Sequence, residues 1–203
     1  MIMFVFSTGW SLADFSYEDI TFWAGSGQKQ AVLVIDWNDG INPVSLAWGF
    51  RWTGTATGRD MLNAVKQADS RLFEQFGIYG ASMVYGLGYD TDSDGFTYVS
   101  ASNDGGYSQD SDDHYREGWT TVGYWSYWNC GTNPYAGGEW TSPWDYGLAG
   151  RNLTDGCWDG WSFAPASNNW DGGTPDIPVA ASIPEPASMA VFAMGLLCLK
   201  RRK

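Results

Sequence analysis

The chain reads QAVLVIDW over residues 30–37, SLAWGFRW over residues 45–52 and GRDMLNAVKQADSRLFEQF over residues 58–76. The first segment is a short, unbroken apolar run, which is typical of a strand that is buried on both faces. The turn signal Asn38-Asp39-Gly40 separates it from the second segment, so we predict two neighbouring strands. In the third segment the apolar residues recur three and four positions apart, which predicts a helix.

The predicted helix also carries a start signal. Thr57 is a candidate N-cap, and Asp60 stands three residues after it, as in a capping box. The side chains that we expect on the apolar face are Met61, Leu62, Val65, Ala68 and Leu72. Elsewhere in the sequence we find no segment with a comparable helical pattern.

Further strands are predicted on both sides of these segments. They cover residues 17–24, 81–89, 96–102, 122–128 and 155–163. Two strands, one helix and then several strands predict an α+β domain over residues 14–163, with one main helix packed on a mixed or mainly antiparallel sheet. Residues 164–182 are rich in Pro, Asn, Gly, Ala and Ser, which predicts a flexible linker.

The predicted domain is acidic and rich in tryptophan. Residues 14–182 hold 22 acidic and 7 basic side chains, a net charge of −15 with histidine neutral. Such a surface repels phosphates, which excludes nucleic acid as a partner, and it attracts cations. The chain has 13 tryptophans, whereas disordered acidic chains have few aromatic residues, so we expect a real hydrophobic core.

An acidic segment offers a candidate calcium site, since Asp90, Asp92 and Asp94 alternate with other residues ahead of Gly95. Carboxylates placed in this way around a glycine turn can wrap a hard cation. The segment is not an EF-hand loop, because Ala101 stands where the twelfth position of that loop needs an acidic residue. A partial site could be completed by Asp104, Asp110, Asp112 or Asp113. The alternative is a solvated acidic loop without an ion.

Aromatic residues form a second candidate site. Trp125, Trp128, Trp158 and Trp161 lie on two predicted strands, where aromatic rings at alternate positions can form a flat platform for sugar rings. The alternative is that these tryptophans pack into the core of a glycine-rich domain.

The cysteine and histidine patterns do not indicate a catalytic centre. Cys130 and Cys157 are a candidate disulfide in an exported protein, and two buried thiols are the alternative. His114 is the only histidine, and no nucleophile motif such as G-x-S-x-G is present. We therefore expect no catalytic residues and a non-enzymatic protein.

The last residues of the chain have a three-part order that suits a membrane. A proline-flanked acid (Pro184, Glu185, Pro186) precedes an apolar run at residues 187–199, and the cations Lys200, Arg201, Arg202 and Lys203 follow. We predict a membrane helix over the apolar run, with the cations on the cytoplasmic side. As an α-helix, these thirteen residues are only about 20 Å long, whereas the hydrocarbon core of a bilayer is about 30 Å thick. Snorkelling of the flanking cations or local thinning of the bilayer can reduce this difference.

This order resembles the PEP-CTERM sorting signal of bacterial surface and secreted proteins. The resemblance implies that residues 183–203 are a sorting tail, recognised by the membrane protease-transpeptidase exosortase. It also implies processing near Glu185, transient anchoring in the inner membrane of a Gram-negative-type bacterium, and a place at the cell surface or in an extracellular polysaccharide matrix such as a biofilm.

Two further features complete the prediction. Residues 1–13 contain an apolar start and a small-residue site, which favour a truncated signal peptide, although a first strand is equally compatible. The middle of the chain resembles the β-grasp ligand-binding modules of cobalamin carriers. The residues behind that resemblance are Gly58, Met61, Ala64, Val65, the segment 125–128 and the segment 153–156.

The sequence therefore predicts an exported, non-enzymatic protein whose tail determines its destination. The alternatives are a binding module for a carbohydrate or a tetrapyrrole-like molecule, and a secreted hydrolase. The possible cofactor is calcium, and the expected partners are exosortase, the inner membrane and extracellular polysaccharide.

Overall fold

The computed structural model describes residues 15–77, 83–100, 105–119, 121–143, 147–169 and 171–184. Its helix α1 spans Gly58–Ala68. Its strands are β1 (Trp23–Gly25), β2 (Lys29–Asp36), β3 (Ser45–Trp52), β4 (Leu72–Phe76), β5 (Val84–Tyr89), β6 (Tyr98–Val99), β7 (Tyr107–Ser108), β8 (His114–Glu117), β9 (Gly123–Cys130), β10 (Cys157–Pro165) and β11 (Val179–Ala180).

The centre of the domain is a mixed six-stranded sheet in the order β1-β3-β2-β10-β9, with β11 also paired to β3. Two antiparallel pairs, β2 with β3 and β9 with β10, meet through the parallel neighbours β2 and β10. One α-helix is described, and most of the ordered structure is sheet. The prediction of an α+β fold with a mixed sheet is confirmed at this level. The resemblance to cobalamin carriers stays a prediction.

Both faces of the central sheet are buried, as the apolar run at residues 30–37 predicts. On β2, Leu33 and Ile35 join a large core with Met61 and Leu62 of α1. Val32 and Val34 point to the opposite face, where they pack with Trp158 in a second core. Because successive residues of a strand point to opposite faces, an unbroken apolar run fits a strand that is covered on both sides.

The helix begins where the sequence predicts and ends earlier. The Thr57 hydroxyl accepts a hydrogen bond from the Asp60 amide, and the Asp60 carboxylate accepts one from the Thr57 amide, which completes the capping box. The prediction of helix through residue 76 is wrong, because α1 ends at Ala68 and residues 72–76 form strand β4.

The buried carboxylate of Asp69 explains this early end. It accepts hydrogen bonds from the Arg71 amide and from the Trp48 indole nitrogen, which fixes a turn directly after the helix. Side chains that bond the nearby backbone in this way compete with continued helix.

A second, antiparallel sheet of β4, β5 and β8 belongs to the same domain. The residues of β8 lie outside the strands that the sequence predicts. The strand predicted over residues 96–102 is much shorter, since β6 covers Tyr98–Val99 and residues 101–104 lie outside the described part. The strand predicted over residues 17–24 is a short 3₁₀ turn, Tyr17–Asp19, followed by β1.

The segment before the tail is docked on the domain. We call residues 175–182 the C-terminal strap. The Asp176 amide donates to the buried Asp36 carboxylate, and the Thr21 hydroxyl donates to the Ala181 carbonyl. The Arg71 guanidinium donates to the side chain and the carbonyl of Ser182. The prediction of a flexible linker over residues 164–182 therefore does not describe the strap, because its β11 residues pair with β3.

Several predicted segments lie outside the described residues: the leader at residues 1–13, the membrane helix at residues 187–199, and the basic end at residues 200–203. Within the described part of the chain, no helix is both long enough and apolar enough to span a bilayer.

Candidate cation site

The pairing of β5 with β8 brings together two aspartates that are far apart in sequence. The two strands run antiparallel, with Tyr89 at the end of β5 opposite His114 at the start of β8. Asp90 directly follows β5, and Asp113 directly precedes β8. The next position along this ladder therefore places Asp90 beside Asp113.

The loop after β5 curls around the Asp90 carboxylate. Its two oxygens accept hydrogen bonds from the Ser93 amide at 2.7 Å and the Gly95 amide at 3.2 Å. Ser93 and Gly95 have positive φ angles of 68° and 124°, which allow the tight turn. The Asp92 carboxylate lies in the same turn and accepts from the Asp94 amide. The alternating acids predicted from the sequence thus fold into a compact loop.

One carboxylate oxygen each of Asp90, Asp92 and Asp113 lie within 4.8 Å of one another. We call these three residues the aspartate cluster. Ligands on opposite sides of one calcium ion, at about 2.3–2.6 Å each, stand up to about 5 Å apart, so the spacing suits that ion. Asp94, a predicted ligand, is not part of this group. Asp113, one of the four residues that the sequence offers to complete the site, takes that place.

The electrostatics of the cluster are set by burial and by like charge. The Asp113 side chain is only 1 % exposed. Burial, followed by the charge of Asp90, raises the pKa of the Asp113 carboxyl to about 6. The charge of Asp92 raises the pKa of the exposed Asp94 carboxyl. A cation among these carboxylates would relieve their mutual repulsion.

The two oxygens of Asp113 differ in their partners. Oδ1 accepts a hydrogen bond of 2.8 Å from the Thr91 amide. Oδ2 is buried and has no hydrogen-bond partner among the described residues. The Thr91 hydroxyl is likewise buried without a partner there. Buried carboxylate oxygens usually have a hydrogen-bond partner or a bound ion, so Asp113 Oδ2 is available to a ligand.

The cluster is connected to the core through the next residue, His114. Its ring is fully buried and stacks on Trp37 with 4.5 Å between ring centroids. His114 Nδ1 lies 3.0 Å from Asp39 Oδ2. The Trp37 indole nitrogen in turn donates to the Leu87 carbonyl of β5. The only histidine is therefore part of the packing between the two sheets and is not accessible to a substrate.

The structure places the predicted aromatic platform largely in the core. Trp125 and Trp161 are buried on one face of the central sheet, and Trp158 is buried on the other. Trp128 is partly buried. Buried rings on opposite faces of a sheet cannot form one surface for a sugar, which favours the packing alternative.

The predicted disulfide is not formed, because both thiols are free and buried. Cys130 packs in the same core as Trp158, whereas Cys157 belongs to the core on the opposite face. In the β9–β10 ladder the residue opposite Cys130 is Trp158, so the side chain of Cys157 points away from Cys130.

A buried polar group that the sequence does not predict lies at the start of α1. The Tyr127 hydroxyl donates to Asp159 Oδ2, and Arg151 Nε lies 3.3 Å from Asp159 Oδ1. Burial raises the pKa of the Asp159 carboxyl, and the charge of Arg151 opposes that rise. No spacing signal in the sequence links these three residues, because β9, β10 and the intervening loop bring them together.

Comparison with known proteins informs on the tail alone. No curated protein and no solved structure matches the chain. The family model of the PEP-CTERM protein-sorting motif matches residues 182–203. The match begins at the last residue of the strap, which Arg71 holds. The chain therefore carries the PEP-CTERM sorting motif, the signal of exported proteins that exosortase processes.

Proposed function

We propose that the protein is a non-enzymatic component of the cell surface or extracellular matrix of a Gram-negative-type bacterium, delivered there through its sorting tail. The observation that carries this proposal is the motif at residues 182–203, with its proline-flanked acid, apolar run and basic end in order. In this proposal the mature domain lies among the polysaccharide chains of the matrix.

The order of the tail suggests how the chain is held for processing. The apolar residues 187–199 enter the inner membrane from the exported side, and the four terminal cations stop transfer at the cytoplasmic face. Glu185 then stands near the outer surface of the bilayer, where exosortase can reach it. The acidic domain stays outside the lipid.

The strap limits the distance between the domain and the membrane before processing. Ser182 is bound by Arg71, and the apolar run begins at residue 187. Five extended residues span at most about 17 Å. Exosortase must therefore work in a narrow gap beside the folded domain, or the strap must detach first.

The proposal that the domain is non-enzymatic is supported by His114. Its ring lies between Trp37 and Asp39 inside the domain, so it is not placed to act as a general acid or base on a bound substrate. The three buried tryptophans of the predicted aromatic site also pack the core.

Deletion of residues 184–203 tests the sorting proposal. The truncated chain is expected to be exported and then lost from the cell surface, as measured by fractionation and immunoblotting.

Glu185→Gln in the full chain should slow processing, so that unprocessed protein accumulates in the inner membrane. Glu139→Gln, an exposed change within the domain, is the matched control and should be processed normally. An unchanged location for the truncated chain would remove the sorting proposal.

A further inference from the structure

We propose that Asp90, Asp92 and Asp113 bind one divalent cation, and that calcium is the ion that fits them. The three carboxylates come from the two ends of neighbouring strands and meet within 4.8 Å. This inference concerns the folded domain and stands independently of the sorting proposal.

The strongest indication is the buried carboxylate of Asp113. A charged oxygen that is removed from water needs a partner, and Oδ2 has none among the described residues. Repulsion adds to the cost, since one carboxylate oxygen each of Asp90 and Asp92 lies within 4.8 Å of one of Asp113. A cation bound between the three would provide the missing partner and would neutralise most of their charge.

The ligand set favours calcium over softer metals. All three side chains offer hard oxygen ligands, and neither histidine nor cysteine belongs to the cluster. Calcium takes about six to eight oxygens and tolerates irregular geometry, so water molecules can complete the shell. Magnesium demands a near-ideal octahedron and shorter distances, which an exposed loop residue such as Asp92 is poorly suited to provide.

Binding would fix the loop that covers the outer face of the second sheet. Phe96, six residues after Asp90, lies so close to Gly88 that a methyl group on Gly88 would overlap its ring. The Phe96 ring also packs against Phe73 and Tyr115, with centroids 5.4 and 5.9 Å away. A cation that joins Asp90 and Asp92 to Asp113 therefore ties this aromatic cover to β8.

The expected affinity is that of an extracellular site. Only two of the three ligands are buried, so we expect a dissociation constant of about 10⁻⁴–10⁻³ M, in the range of extracellular calcium modules. If the protein is exported as proposed, the ion would bind after the chain has left the cytoplasm.

Isothermal titration of the full chain, purified in detergent and freed of metal with a chelator, tests the site. Calcium chloride is expected to bind with a stoichiometry of one, and 10 mM calcium should raise Tm by several degrees. Asp92→Asn should weaken binding at least tenfold. Asp112→Asn, an exposed aspartate of the same acidic segment outside the cluster, should change the affinity less than threefold.

Asp113→Asn gives a second, independent readout. Because it removes a buried charge, the metal-free variant should be at least as stable as the metal-free parent and should lose the calcium-induced rise in Tm. If Asp113→Asn does not fold, calcium binding by Asp92→Asn is the deciding measurement, because Asp92 is exposed and its replacement should leave the fold intact. The site is overturned by the absence of binding heat and of a Tm shift at 10 mM calcium. It is also overturned if Asp112→Asn weakens binding as much as Asp92→Asn, which would indicate diffuse attraction. Equal binding of magnesium would contradict the assignment to calcium.

Discussion

At the scale of single residues, the domain depends on polar side chains that are buried with defined partners. Asp159 is fully buried between the Tyr127 hydroxyl and Arg151. Gly58, the first residue of α1, fits against this group, and its amide donates to the Arg151 carbonyl. The first turn of the helix is thereby held against the sheet by contacts that leave no room for a side chain.

We predict that Gly58→Ala destabilises the domain. An added Cβ would stand 2.6 Å from the Tyr127 hydroxyl and 2.9 Å from Asp159 Oδ2. The cost of this overlap, about 1–3 kcal/mol, exceeds the gain of up to about 1 kcal/mol from the better helix propensity of alanine. Urea unfolding measures the change. Gly131→Ala, where a Cβ meets no atom within 4 Å, is the control and should be close to neutral. A Gly58→Ala variant as stable as the parent would contradict this packing.

The sequence predicts part of the cation site at this scale. The alternation of Asp90 and Asp92 before Gly95 is visible in the sequence and predicts the loop. Asp113 could be named only as one of four possible additions, because its position depends on the register of β5 with β8. That register is set by packing between strands, and the four residues of β8 carry too little pattern to predict a strand.

At the scale of elements, the central strands and β5 follow from the sequence, whereas β4 and β8 of the second sheet do not. The apolar runs of β2 and β3 and the aromatic runs of β9 and β10 predict strands that the structure contains. Residues 72–76 continue a helical pattern by composition, and they become β4 because Asp69 ends the helix and β5 offers a partner strand. Such a tertiary contact cannot be inferred from local periodicity.

The last residue of the strap is held by an arginine that also forms a buried ion pair. Arg71 binds the Asp69 carboxylate through Nε at 2.8 Å and reaches Ser182 with its other nitrogens. We predict that Arg71→Lys loses the forked contact, costs about 2–4 kcal/mol, and exposes residues 175–182 to proteases. Limited proteolysis with mass spectrometry locates the cleavage. Arg51→Lys, at an exposed site, is the control. Equal protease resistance of Arg71→Lys and the parent would show that the strap is held by other contacts.

At the scale of the whole molecule, negative charge dominates. The full chain has a net charge of −12, and four of its cations lie in the tail. Removal of the tail by processing would make the mature protein more acidic. Burial works against this charge at one position, because it raises the pKa of the Asp36 carboxyl to about 6 despite the opposing amide hydrogen bonds of Asp176 and Asn38.

We predict that this carboxyl lowers stability as pH rises. The folded-state pKa of Asp36, about 6, is higher than its ordinary value of 3.8, so the folded state binds the proton more tightly. The free energy of unfolding therefore falls between about pH 4 and pH 6. The free energy of unfolding of Asp36→Asn, taken relative to that of the parent, should therefore increase by roughly 2–3 kcal/mol between pH 4 and pH 7. Urea unfolding at intermediate pH values measures this difference. A difference that stays constant, or that changes in the opposite direction, would contradict the prediction.

The central claim is that residues 184–203 are a signal for export and processing and that the domain before them is the mature product. Intact-mass spectrometry of the protein recovered from the cell surface or the medium tests it most directly. We predict a chain whose C-terminus lies near Glu185, without the apolar run and the terminal cations. A surface protein that still ends at Lys203, or full-length protein found in the cytoplasm alone, would contradict the claim.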